Sequence, residues 1–379
     1  MAAIEPSQIR AIAAKQRPTS IPLGLGEPTV LPQHRFIEAA ARAVETEGLK
    51  YTANAGDATL RARIAAHYAY PGMNEARNVC VTTGSQEAMY VAIKTLMDPD
   101  RDALLVVEPA YPAYAKIAQL EGIAVQRATC TAAADFAYDA DAILAAITPA
   151  TRLIVIGSPS NPTGRVLTRA VAGRLAAELL ARGGEPVWIL FDEIYRELTY
   201  VDDAASMAQL YPYTIAINGL SKSNALTGLR VGWTIAPAPL CDEIVKVHAW
   251  LTSTASTFGQ RVALGIFSEP GALEEQAGWY RAQRAAILEV LRATPLRFVE
   301  PDGAFYVCMH LPGAADSLAT AVRLIEEDDV ATVPGRTFGD ALEGWLRLSW
   351  VAPLDEFREG VARIVRATAI REDLGASSR

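Results

Sequence analysis

The stretch Asn218-Gly219-Leu220-Ser221-Lys222-Ser223, closely followed by Thr227-Gly228-Leu229-Arg230-Val231-Gly232-Trp233, decides how this chain is read. Tyr213 to Asn218 reads as a short strand, and Val231 to Ala236 as a second apolar run. One lysine is therefore set between two strands, among small and hydroxyl-bearing residues. An amine shielded from water is more readily neutral, and a neutral amine can attack an aldehyde to form a Schiff base. Alone, Lys222 would read as a solvated loop lysine. The segments around it change that reading.

Upstream, short apolar runs alternate with helical patterns. Strands are expected at 78–83, 103–107, 123–127, 153–157 and 187–191, and helices at 86–97, 114–120, 140–147 and 168–182. The strand runs are uniformly apolar rather than alternating, as in a parallel sheet covered on both faces. Strands alternating with helices indicate an α/β fold. After Trp233 the pattern is helical, at 239–251, 256–267 and 273–292. Beyond Pro295, strands at 297–300, 305–310, 330–333 and 345–349 mix with helices at 316–328 and 354–369, an α+β pattern. A large domain is expected over 49–290 and a small one over 291–379. Residues 1–48 carry helices at 7–16 and 33–47 and no strand of their own, and are expected to pack on the small domain. Arg17-Pro18-Thr19-Ser20 reads as a mobile lid and 373–379 as a frayed tail.

The chain has 379 residues, 51% of them apolar, enough for a sizeable core in two or three domains. A net charge of −8 argues against nucleic-acid binding and suits small ligands. Cys80, Cys130, Cys241 and Cys308 form no CxxC pair, and only four His are present, so neither a metal site nor a disulfide framework is expected. A reducing cytoplasm fits. Glu5, Arg10 and Lys15 interrupt the N-terminal stretch, so no signal peptide is expected. No run reaches the ~18 apolar residues of a membrane span.

In open parallel sheets, ligands bind beyond the carboxyl ends of the strands. Thr82-Thr83-Gly84-Ser85-Gln86 opens a helix there. Gly84 lets the backbone come close, and free N–H groups at the helix start suit a phosphate. Arg230 can partner the same phosphate. Tyr111, in Glu108-Pro109-Ala110-Tyr111, can stack on a flat heteroaromatic ring. Two prolines bracket Asn161 in Ser158-Pro159-Ser160-Asn161-Pro162-Thr163-Gly164 and limit how its carboxamide is aimed. Phe191-Asp192-Glu193-Ile194-Tyr195 sets a carboxylate just past a buried strand, where it can hold a protonated ring nitrogen. Tyr195 reaches the same side if a helical turn begins there. Each segment alone also reads as a cap, a turn or a half-buried aromatic. Together they supply the parts that a pyridoxal phosphate (PLP) site requires.

These motifs, in this order and spacing, resemble those of the class I/II aminotransferases of the PLP-dependent fold-type I superfamily, from about Leu23 to Ser349. The resemblance implies a three-layer α/β architecture: a mostly parallel seven-stranded sheet with helices on both faces, plus a smaller α+β domain. It implies that Lys222 links the cofactor and then shuttles a proton, and that Asp192 partners the pyridine nitrogen. Asn161 and Tyr195 would bond the ring hydroxyl, and Tyr111 would stack on the ring. The amides of Ser85 and Gln86, beside Gly84, would hold the phosphate with Arg230, and Ser221 lies next to the lysine. Tyr51 resembles the tyrosine that reaches the phosphate of the neighbouring subunit in a homodimer. Arg347, in Trp-Leu-Arg-Leu-Ser-Trp, resembles the clamp on the substrate α-carboxylate, and Gly26 the glycine lining the substrate side with Asn161.

The implied reaction moves an amino group between an L-amino acid and a 2-oxo acid. A C–S β-lyase, a synthase or a cyclase on the same scaffold would use the same residues. A nicotinamide-dependent dehydrogenase would need Gly-x-Gly-x-x-Gly after the first sheet strand, which Thr83-Gly84-Ser85 does not supply. A non-catalytic effector-binding domain is a further alternative. One position departs from the family: Gly219 stands where many members carry a phosphate-binding Ser. The phosphate would hold one hydrogen bond fewer, a difference of about 1 kcal/mol, or about 1.5–3 kcal/mol with a charged acceptor.

Overall fold

The computed structural model describes residues 6–376. A seven-stranded sheet runs in the order Val79–Thr82, Gly232–Ile235, Thr214–Gly219, Trp188–Asp192, Thr151–Gly157, Ala103–Glu108, Ala124–Thr129. Gly232–Ile235 is antiparallel to both neighbours, and every other pair is parallel. Successive side chains point to opposite faces. Leu105, Ile154, Ile156, Ile189 and Phe191 enter one buried cluster, and Leu104, Val106, Leu153, Val155 and Leu190 another. With both faces covered, the strands need apolar residues at every position, which is why they read as unbroken runs.

The edge strand Ala124–Thr129 is the exception, with only Ala128 buried. Gln126 and Arg127 bond Thr148 and Glu108 there, and such polar side chains blunt an edge against further pairing.

Register brings the strand ends together. Thr82 lies opposite Gly232, Gly232 opposite Gly219, and Gly157 opposite Asp192. The loops that follow residues 82, 157, 192 and 219 therefore emerge along one edge of the sheet.

A second sheet, antiparallel throughout, orders Val333–Pro334, Trp345–Ser349, Tyr306–His310 and Phe298–Val299. Its core gathers Phe305, Leu346, Leu348, Trp350, Phe357 and Ile364. The run at 330–333, expected as one strand, is two. Val330–Ala331 pairs in parallel with Ile21–Pro22, and Val333–Pro334 joins Trp345–Ser349. The N-terminal segment thus contributes a strand after all.

That segment is also divided in its packing. The helix His34–Glu47 lies on Thr257–Ser268 of the large unit, not on the small one. A Cβ on Gly265 would come within 2.9 Å of the Phe36 ring, so glycine allows the close approach. The helix Ala277–Arg292 runs through the expected boundary at 290 and buries Tyr280, Ile287 and Leu291 in the small unit's core. Arg17, Thr19 and Ser20 all donate to the Asp329 carboxylate, at 3.2, 2.7 and 2.5 Å, so the stretch read as a mobile lid is tied down. Hydrogen bonds from Ser20 and Thr19, with Arg17, hold that carboxyl at about 2. The final helix, Leu354–Ala376, continues past residue 373, and 377–379 lie outside the described residues.

Candidate active site

A cavity of about 950 Å³ opens at the carboxyl edge of the large sheet. Of the residues expected to hold the cofactor or substrate, all except Gly84 and Tyr51 line it.

Lys222 follows the strand Thr214–Gly219 by three residues and is half-buried. Its Nζ donates to the Gly26 carbonyl at 2.7 Å and lies 5.9 Å from the Phe305 ring centre. Asp192 ends the strand Trp188–Asp192 and is buried. One carboxylate oxygen accepts from the Tyr114 hydroxyl at 2.8 Å, the other from the Ile194 N–H at 3.1 Å. Burial pushes the carboxyl up to about 6, although those bonds and the charge of Lys222 pull the other way. A cationic group placed against it would restore the charged form.

Arg347 sits mid-strand in Trp345–Ser349 and reaches the cavity from the small unit. Its two Nη atoms donate to Asn161 Oδ1 at 2.8 Å and to the Gly24 carbonyl at 2.5 Å. The guanidinium lies 4.2 Å from the centre of the Tyr306 ring. Although the residue is only 1% exposed, no carboxylate pairs with it among the described residues, and its Nε has no hydrogen-bond partner. A buried charge without a counter-charge is costly. Such a group is matched by an anionic ligand.

Tyr306 also bonds the Tyr195 hydroxyl at 2.9 Å. A Cβ on Gly26 would fall 1.8 Å from the Tyr306 hydroxyl. Tyr306 is held between Tyr195 and Arg347 and cannot swing away freely. Gly26→Ala is therefore expected to lower kcat/KM roughly tenfold or more by displacing this pair. Steady-state kinetics with an unchanged circular dichroism spectrum would check it.

Gly84, with φ +81°, caps the helix Ser85–Leu96. A Cβ on Gly84 would stand 2.5 Å from Arg230 Nη2, and one on Gly232 2.5 Å from the Ser85 nitrogen. Arg230, itself left-handed at φ +53°, thus lays its guanidinium across a helix start. The N–H groups of Ser85 and Gln86 find no acceptor among the described residues. Free donors, the helix dipole and a guanidinium together form an anion cradle. Tyr111 stands beside it, with its hydroxyl 3.4 Å from Gln86 Oε1.

The glycine at 219 has a structural cause. A Cβ there would lie 2.7 Å from the Val231 carbonyl and 3.1 Å from Gly232 Cα, so the neighbouring strand would have to shift to admit serine. Gly219 does not line the cavity.

Two residues of the site escaped the sequence reading. Tyr114 supports Asp192, and its hydroxyl passes over Gly157, where a Cβ would stand 2.6 Å away. The available signal was a tyrosine in the first turn of the helical pattern that follows a strand end. Tyr306 had none, because only the fold brings it to Tyr195 and Arg347. Tyr51 is 87% exposed and stands away from the cavity of its own chain.

The family model "Aminotransferase class I and II" matches residues 18–364. The "Probable N-acetyl-LL-diaminopimelate aminotransferase" of Bacillus subtilis is 34% identical over 375 residues, which cover 95% of this chain and 93% of that one. The aspartate aminotransferase of Pyrococcus horikoshii is 32% identical, over 96% and 95% of the two chains. A structure of Thermus thermophilus aspartate aminotransferase with maleate matches with a TM-score of 0.88 at 29% identity, over 96% of this chain and 97% of that one. The chain belongs to the class I and II aminotransferases. Its cofactor is pyridoxal phosphate, and the residues present fit it. The anion cradle suits the phosphate, the buried Asp192 suits a ring cation, and the Lys222 amine faces the same cavity.

Proposed function

We propose that this aminotransferase moves the amino group of an L-amino acid to a 2-oxo acid in a ping-pong cycle, with Lys222, Asp192 and Arg347 as its principal residues. One observation carries the reading. An amine, a buried carboxylate raised to about 6 and a buried guanidinium lacking a carboxylate partner among the described residues converge on a single cavity.

Bound pyridoxal phosphate supplies an aldehyde that takes up the donor's nitrogen and a ring that draws electrons from the bond to the α hydrogen. The protein does the rest. Gly84, Ser85, Gln86 and Arg230 would anchor the phosphate, with Ser221 beside Lys222. Asp192, held in orientation by Tyr114 and Ile194, would be kept ionised by a ring cation and would hold the ring nitrogen protonated. Tyr111 would cover the ring, while Asn161 and Tyr195 would bond its hydroxyl. Arg347 grips the α-carboxylate, which fixes where the donor's α carbon stands, and Gly26 keeps that side open. Lys222 Nζ removes the α proton and returns one on the other side of the transfer. Positioning of this kind supplies several kcal/mol of a barrier.

The deciding experiment is a half-reaction. Purified protein given an amino acid alone should convert its bound cofactor to the amine form once, releasing one equivalent of oxo acid. Continuous release of pyruvate and ammonia from a single substrate would point to a lyase instead.

The large unit, from about residue 49, would hold the cofactor. The small one, built on 291–379 and joined through Ala277–Arg292, would supply Arg347. We further place the enzyme in the cytoplasm as a homodimer. The four cysteines are buried and free, and among the described residues no helix is long and apolar enough to cross a membrane. Leu49 and Tyr51 are exposed at 59% and 87%, and Trp250 and Leu251 at 92% and 47%. The two segments are stitched together: Asn54 donates to the Ser253 carbonyl at 2.7 Å and Thr257 to that of Lys50 at 2.7 Å. An exposed apolar patch of this kind marks an interface, and Tyr51 within it would enter the partner's site. Trp250→Glu is expected to shift the protein to monomer in sedimentation and to lose activity with it.

A further inference from the structure

Thr83, Glu87, His248 and Thr252 do not line the cavity, yet their hydrogen bonds end on the turn that opens the anion cradle. His248 lies on the helix Ala238–Thr252 and is fully buried. Its Nδ1 stands 2.9 Å from Glu87 Oε1. The Thr252 hydroxyl, one turn further along the same helix, donates to that oxygen at 3.0 Å. The other oxygen, Oε2, accepts from the backbone N–H of Thr83. Burial raises the Glu87 carboxyl, but the bonds from His248, Thr83 and Thr252 outweigh it and hold the group below its ordinary value. An ionised carboxylate only accepts, so His248 Nδ1 carries a proton. The other ring nitrogen, Nε2, is buried without a partner among the described residues. The imidazole is thus fixed through Nδ1.

Glu87 is the third residue of the helix Ser85–Leu96. A carboxylate at that position ordinarily reaches back to the N–H of the capping residue, and the positive end of the helix attracts it. Here the Gly84 N–H goes to the Thr82 carbonyl at 2.8 Å, and the Thr82 hydroxyl donates to the Gly84 carbonyl at 3.0 Å. Glu87 therefore reaches one residue further back, to Thr83. Left loose, a first-turn carboxylate would be a rival anion for the N–H groups of Ser85 and Gln86. Bonds from a separate helix draw it aside, and those two donors stay free.

We infer that His248 is a positioning residue for cofactor binding. Acting through Glu87, it holds the turn from Thr82 to Ser85 in the shape that offers the Ser85 and Gln86 N–H groups to a phosphate, and it keeps the Glu87 carboxylate from competing for them. This rests on the phosphate cradle assigned above. The test titrates apoprotein with pyridoxal phosphate, with inorganic phosphate, and with pyridoxal, which carries the same aldehyde and no phosphate. His248→Leu should weaken both phosphate ligands roughly tenfold and pyridoxal by no more than about twofold. His248→Asn, whose side-chain amide can replace the Nδ1 donor, should recover most of that loss. Thr252→Val removes one bond to the same oxygen and should weaken both phosphate ligands about threefold, again sparing pyridoxal. It decides the matter where His248→Leu does not fold. Equal weakening of all three ligands would mean lost packing alone and would overturn the assignment, as would no weakening of any. Wild-type apoprotein that binds neither phosphate ligand would instead sink the cradle itself, and this inference with it.

Discussion

Lys222→Ala is expected to lower turnover by something on the order of 10⁴-fold while leaving the fold intact. The amine's hydrogen bond is to the Gly26 carbonyl, so its removal disturbs little packing. What is lost is the group that moves the α proton. An added small primary amine should restore part of the rate, because it can enter the space vacated and act as the base. The check is single-turnover absorbance with and without that amine, alongside circular dichroism. Turnover within tenfold of wild type would contradict the role given to Lys222.

Asp192→Asn should move stability and activity in opposite directions. The Asp192 carboxyl is raised to about 6 by burial, from an ordinary value of 3.8. The folded apoprotein therefore favours the protonated form. That contribution is fully present below about pH 4 and is lost as pH rises through 6, a difference of about 3 kcal/mol at most. Asparagine keeps the group neutral at every pH. Apo Asp192→Asn should thus resist urea better than wild type at pH 8 and about equally at pH 4. With cofactor the sign reverses, because the ring cation needs the ionised carboxylate. Wild-type cofactor affinity should fall about tenfold per pH unit below 6, and the variant should bind weakly across the range and turn over roughly 10²- to 10³-fold more slowly. Urea melts of apoprotein and cofactor titrations from pH 4 to 8 read both effects. A pH-independent wild-type affinity would refute the pairing.

What could be read from the sequence follows where composition tracks environment. Interior strands such as Thr151–Gly157 are buried on both faces, so their apolar runs are unmistakable. The loops bearing Asp192, Asn161 and Lys222 stand out because glycine, proline and polar groups cluster where a buried strand ends. The run at 330–333 misled because Val-Ala-Thr-Val suits a strand at every position and carries no turn residue. The chain leaves one pairing at Ala331 and enters another at Val333, a change that only tertiary partners impose. The helix His34–Glu47 announced its existence but not its partner, since an amphipathic face does not say which unit it will cover. Arg347 was found through family resemblance. An arginine inside a strand ordinarily marks the solvent face, and only the fold reveals it at 1% exposure. Gly219 was read as a position lacking the phosphate-binding Ser, and the approach of the Val231 carbonyl that accompanies the glycine was not legible in the sequence.

The account depends most on which side chain carries the cofactor. Holo-protein should be reduced with borohydride, digested and mapped by mass spectrometry. A pyridoxyl group on the peptide containing Lys222, and on no other lysine, is the predicted result. Modification of a different lysine, or of none, would contradict it.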